Sequence, residues 1–217
     1  STVGPPLTGW DPALAALFNS LGAFSFPPTD SLDAAVDSSF APGPHTVDLM
    51  SHDGQSGIAL LELYDADHLA PADRLINLSA RGYAGSGSQV LVGGFVIGGG
   101  APETVLIRAV GPALSQRPFN VPGTLAEPSL LVYDSSPQIL ASIQGWGAMP
   151  QRGPSTVAAG VGPATAFQMS SADAFPLVAG SADCAMILTL PPGSYTAQVS
   201  GADGGSGVAL VEIYELH

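Results

Sequence analysis

The chain has 217 residues, 46% apolar and only 11% charged, with 18 acids against five basic residues and a net charge of −13. So acidic a surface repels phosphate backbones and anionic lipid, which excludes nucleic-acid binding, and no segment reaches the about 20 apolar residues of a membrane-spanning helix. All five basic residues are arginines (Arg74, Arg81, Arg108, Arg117, Arg152), so lysine Schiff-base chemistry, a Walker-type phosphate clamp and lysine isopeptide crosslinks are excluded as well.

In chain order, Ser1 to Pro6 is small and proline-containing and suits a processed mature terminus, while Ser1 to Thr8 has the character of an arm that reaches a neighbour. Asp11 and Pro12 then open a short helix as N-cap and first helical residue. Leu14, Leu17, Phe18 and Leu21 fall on one face, and Gly22 closes it. Pro42-Gly43 turns into a strand over His45–Met50. Asp53-Gly54 and Ser56-Gly57 supply a reversal, and a second strand over Ile58–Tyr64 completes a predicted hairpin. An acid-rich linker follows, Asp65 to Asp73.

The central segment predicts strands at Arg74–Ala80, Gln89–Ile97, Glu103–Val110, Ser129–Asp134 and Gln138–Ile143, separated by glycine and proline clusters. Gly147 to Val161 reads as a surface loop, and Pro163 to Phe175 as a second short helix. Ala182 to Leu188 is an apolar, strand-like run that holds the single cysteine, Cys184. With no polar neighbour to lower its pKa, Cys184 is expected to be a buried, inert thiol.

Residues 192–214 repeat the first predicted hairpin. Residues 42–64 align with 192–214 at a constant offset of 150, with eleven identities: Pro42, Gly43, Thr46, Asp53, Gly54, Ser56, Gly57, Ala59, Leu60, Glu62 and Tyr64. With a slip of one residue the match extends to the helices, and Gly9-Trp10 corresponds to Gly145-Trp146. The predicted organisation is a first copy over 1–72, a central β unit over 73–147 and a second copy over 148–217, packed as one or two lobes. About eleven short strands and two short helices predict an all-β fold, a β-sandwich or jelly-roll with internal duplication.

The run Asp73-Arg74-Leu75-Ile76-Asn77-Leu78-Ser79-Ala80-Arg81-Gly82 and the run Val105-Leu106-Ile107-Arg108-Ala109-Val110-Gly111-Pro112-Ala113-Leu114 resemble a β-rich repeat of large secreted or cell-surface proteins of environmental bacteria. Leu125 to Asp134 and Leu190 to Thr196 fit it too. The resemblance implies a secreted or surface location and a β architecture. It brings no catalytic residue with it.

Candidate sites are sparse. Glu62 and Glu212 are duplicated strand carboxylates, and paired carboxylates serve glycosidases. Duplication alone explains the pair, and a repeated strand glutamate is expected to face solvent or protect an edge. Asp65, Asp67 and Asp73, with His68 between, are weak calcium candidates, since calcium takes six to eight oxygens and this linker lacks the regular Asp-x-Asp-x-Asp-Gly spacing. Otherwise no metal and no cofactor is expected. Trp10 and Trp146 are candidate stacking platforms for a sugar ring, against the plainer role of anchoring the helix to a sheet.

With so few charges the surface is expected to be covered by something, most simply another copy of the chain. The expected function is therefore a non-enzymatic, self-associating structural module of the cell exterior: a filament, surface-layer or stalk subunit, with copies of itself or other surface proteins as partners. The alternative is a carbohydrate-binding module of a secreted protein, with polysaccharide as its ligand.

Overall fold

Segments rich in Val, Ile, Leu and Thr between glycine and proline clusters form ten strands among the described residues. They are β1 (Asn77–Ala84), β2 (Leu91–Ile97), β3 (Glu103–Val110), β4 (Pro128–Asp134), β5 (Ile139–Gln144), β6 (Gln151–Arg152), β7 (Ala159–Pro163), β8 (Cys184–Leu190), β9 (Gly193–Gly201) and β10 (Gly207–Leu216). The computed structural model describes residues 12–26, 33–66 and 74–216. Two units are distinguished, Ser1–Leu75 and Ile76–His217, and every one of these strands belongs to the second.

The strands make two five-stranded antiparallel sheets, ordered β1-β10-β3-β8-β7 and β2-β9-β4-β5-β6. The sheets pack face to face as an all-β sandwich. Period-two alternation sends Val105, Ile107 and Ala109 of β3, Leu130 and Val132 of β4, Ala197 and Val199 of β9, and Ala209 and Val211 of β10 into the core between them. The central segment and the second copy share both sheets.

The outer face of the first sheet carries a second apolar cluster, in which Leu106, Val110 and Ala185 meet Leu114, Met169, Ala174 and Leu177. Strand β3 is therefore buried on both faces, which explains its run from Val105 to Val110, apolar except for Arg108. Helix α2 (Ala166–Ser171) belongs to this covering layer. Thr165 caps it: the Thr165 hydroxyl accepts from the Gln168 amide at 3.2 Å, and the Gln168 side chain accepts from the Thr165 amide at 2.9 Å. In the first unit α1 (Pro12–Leu21) half-buries Leu14, Leu17, Phe18 and Leu21. It ends where Gly22 takes φ 72°, which lets the Ala23 amide reach the Phe18 carbonyl at 2.9 Å. Asp11, expected as its N-cap, lies outside the described residues.

Three sequence expectations are corrected. The duplicated segment is not a hairpin: β9 pairs with β2 and β4 in one sheet, and β10 pairs with β1 and β3 in the other. It is an arch that crosses between the sheets. Residues 147–161 are not only a loop, because they supply β6 and the start of β7, an edge strand for each sheet. Finally, His45–Met50 and Ile58–Tyr64 of the first copy form no strand. The strands of an arch do not pair with each other, so each needs flanking strands to satisfy its backbone.

Candidate functional site

The duplicated kernel is best followed in its second copy, where β10 lies between β1 and β3. Ala209, Val211 and Ile213 face the inter-sheet core, while Leu210 and Tyr214 pack into the covering layer on the other face. Glu212 shares that second face, and the antiparallel register sets it opposite Arg108 on β3. Arg108 is 0% exposed and Glu212 4%, and the Arg108 Nε lies 3.0 Å from the Glu212 Oε2. The Arg108 Nη1 donates to the Phe175 carbonyl at 2.8 Å, and its guanidinium sits 4.2 Å from the centre of the Phe175 ring. The Tyr214 hydroxyl donates to Glu212 Oε1 at 2.6 Å.

This constellation ties two strands of the first sheet to the segment after α2. Burial pushes the Glu212 carboxyl above the ordinary carboxylate range, and the Arg108 cation only partly offsets it. Burial raises the Tyr214 phenol as well, with the negative charge of Glu212 adding to the effect. Glu212 therefore neither faces solvent nor protects an edge, contrary to expectation. The covering layer, absent from any local pattern, is what buries it. Arg108 went unnoticed as its partner, although one arginine inside the apolar run Val105–Val110 is a usable signal. Glu62 is exposed in the first unit, where it accepts from the Tyr64 hydroxyl at 3.1 Å.

A second buried acid was also missed. Asp183 is 0% exposed; its Oδ1 accepts from the Gly111 amide at 2.9 Å and the Ala113 amide at 3.3 Å, and its Oδ2 from the Ser181 hydroxyl at 2.9 Å. It fixes the turn that follows β3. Beside it, Cys184 is buried, and its thiol donates to the Pro128 and Ile143 carbonyls at 3.1 and 3.3 Å. Burial pushes that thiol up to about 11, so it stays protonated near neutral pH.

Of the calcium candidates, Asp65 is exposed, while Asp67, His68 and Asp73 lie outside the described residues. Among the described residues no three His, Cys, Asp or Glu side chains are grouped to hold a metal ion. Trp10 also lies outside them. Trp146 is half-buried against the second apolar cluster, and its indole N–H has no hydrogen-bond partner. With Met169, Ala174, Pro176 and Leu177 it lines a pocket of about 230 Å³.

The outer face of the second sheet is of another kind. Val92 and Val96 of β2 are 48% and 71% exposed, and Gln198 and Ser194 of β9 are their register partners, with Thr196 between them. Leu131 and Tyr133 of β4 continue the row. Neither β2 nor β9 carries a charged residue, and β4 has only Asp134 at its end.

Comparison with protein-family models, curated proteins and solved structures finds no match to the chain. The candidate sites therefore rest on their own geometry, which offers a face of β2, β9 and β4 whose one charge is Asp134 at an end, and one internal ion pair in which the buried Arg108 Nη2 has no hydrogen-bond partner.

Proposed function

We propose that the chain is a non-enzymatic structural module of the bacterial cell exterior that associates with copies of itself, as a filament, surface-layer or stalk subunit. The observation that supports this most is the face of β2, β9 and β4, whose one charge is Asp134 at an end. A surface of exposed Val92 and Val96 beside half-buried threonine, leucine and tyrosine has little to lose in hydration and apolar area to bury when it meets a similar surface. The exterior location rests on the resemblance of residues 73–82 and 105–114 to repeats of bacterial surface proteins.

Sedimentation across a wide concentration range, with negative-stain imaging, tests the reading. Ordered polymers or discrete oligomers are expected, and Val92→Glu with Val96→Glu should disperse them by placing like charges on the face. A compact monomer at the highest concentrations would defeat it. Binding to a polysaccharide that is lost in Trp146→Ala would instead favour a carbohydrate-binding module.

A further inference from the structure

The two copies of the duplicated segment share a turn and a side-chain contact in different surroundings. Gly54 and Gly204 both take positive φ, 75° and 80°. Asp53 accepts from the Gln55 amide at 3.1 Å, and Asp203 accepts from the Gly205 amide at 2.7 Å. Tyr64 donates to Glu62 as Tyr214 donates to Glu212. Exposure separates them: Val211 and Ile213 are 0% and 6% exposed, whereas Leu61 and Leu63, their counterparts, are 53% and 48% exposed. Ile58 and Leu60 stand at 86% and 70%.

The second copy shows what covers such an arch. One of its strands is flanked by β2 and β4 and the other by β1 and β3, with Arg108 meeting the glutamate. The duplicated segment occurs twice, but among the described residues there is a single set of such flanking strands, and β9 and β10 fill it. We propose that residues 42–64 are a second arch, built to supply one interior strand to each sheet of another half-sandwich of the β1–β8 type.

The partner is thus a protein segment of defined chemistry. It offers four flanking strands in two sheets and a buried arginine at the register position of Arg108, to pair with Glu62. The core exchanges run in opposite directions and partly offset one another in volume, Ala197 and Val199 of β9 corresponding to the larger Val47 and Leu49 and Tyr195 to the smaller His45, so an acceptor of the same kind can take either segment. This reading goes beyond association of identical copies, since among the described residues the duplicated segments outnumber acceptors two to one.

The full-length chain provides its own probe once its acceptor is emptied. Ala209→Asp with Val211→Asp puts two carboxylates into the inter-sheet core and disables the second arch. In that background, and with Cys184→Ser, Ile107→Cys is combined with Leu63→Cys. Ile213 is the register partner of Ile107 and corresponds to Leu63, so the two thiols meet only if the first arch takes the vacated place, in cis or in trans. Most of the chain should then form the 63–107 disulfide under mild oxidation and keep its strand signal. Adding Ala59→Asp with Leu61→Asp should abolish both. Ile213→Cys with Ile107→Cys in the otherwise intact Cys184→Ser chain reports that the thiols can join. If that control crosslinks while the 63–107 pair does not, the inference fails, whether the emptied chain stays folded or unfolds. Self-association of the unaltered chain is a separate measurement, so the two proposals stand or fall independently.

Discussion

Glu212→Leu with Arg108 retained isolates the energetics of the buried ion pair. Arg108 is wholly buried, and after the change its guanidinium keeps only the Phe175 carbonyl and ring, having lost a carboxylate 3.0 Å away. Breaking a buried pair from one side costs about 3–5 kcal/mol, because the surviving charge stays desolvated and uncompensated. The Tyr214 hydroxyl also loses its acceptor, worth about 1 kcal/mol more. At about 2–4 °C per kcal/mol for a domain of this order of size, the melting temperature should fall by about 10 °C or more. The double variant Arg108→Met with Glu212→Leu removes both charges and should return to within about 1 kcal/mol of wild type, or exceed it. Urea and thermal unfolding of the two single variants and the double variant close the cycle. A single variant within about 1 kcal/mol of wild type, or a double variant no better than either single, would refute the reasoning. The pH dependence has a definite sign too. Burial raises the folded carboxyl above its unfolded value, so the stability it contributes is fully present below the ordinary glutamate pKa of about 4.3 and is lost as pH rises through the folded value. The advantage of wild type over Glu212→Gln should therefore shrink as pH rises through that window.

Other expectations follow from single contacts. Cys184, whose thiol is buried and titrates near 11, should resist alkylation at pH 8 in the folded chain and react only on denaturation; rapid labelling of native protein would contradict its placement. Gly111→Ala would drive a methyl group into the Leu125 carbonyl, so a loss of about 1–3 kcal/mol is expected in urea unfolding. Asp183→Ala leaves the Gly111 and Ala113 amides without their acceptor and should cost about 1.5–3 kcal/mol, with faster hydrogen exchange at those amides as the diagnostic signal. Asp134 is held below the ordinary carboxylate range by the Gln138 amide and the Ser155 hydroxyl. Its contribution is thus present above the unfolded pKa and lost as acid brings the pH down through the folded value, a dependence that Asp134→Asn should remove in acid titrations of stability.

Much of this fold is legible from local pattern, because alternation and turn residues are properties of neighbours in the chain. Five strands of the central segment were expected within a few residues of where they lie, and Glu103–Val110 has the expected bounds. The same alternation also separates Ala209, Val211 and Ile213 from Leu210, Glu212 and Tyr214. Partnership is not local. Asp-Gly and Ser-Gly between two alternating strands suit a hairpin and an arch equally well, and only the neighbours β1, β2, β3 and β4 decide that β9 and β10 lie in opposite sheets. The burial of Glu212 against Arg108 likewise depends on a covering layer to which Met169, Ala174, Phe175 and Leu177 contribute from far along the chain, beyond the reach of any periodicity. The residues of 42–64 carry nearly the same instructions as those of 192–214, yet only the second set forms strands. An extended backbone becomes a strand when its amides and carbonyls find partners, and tertiary structure alone provides them.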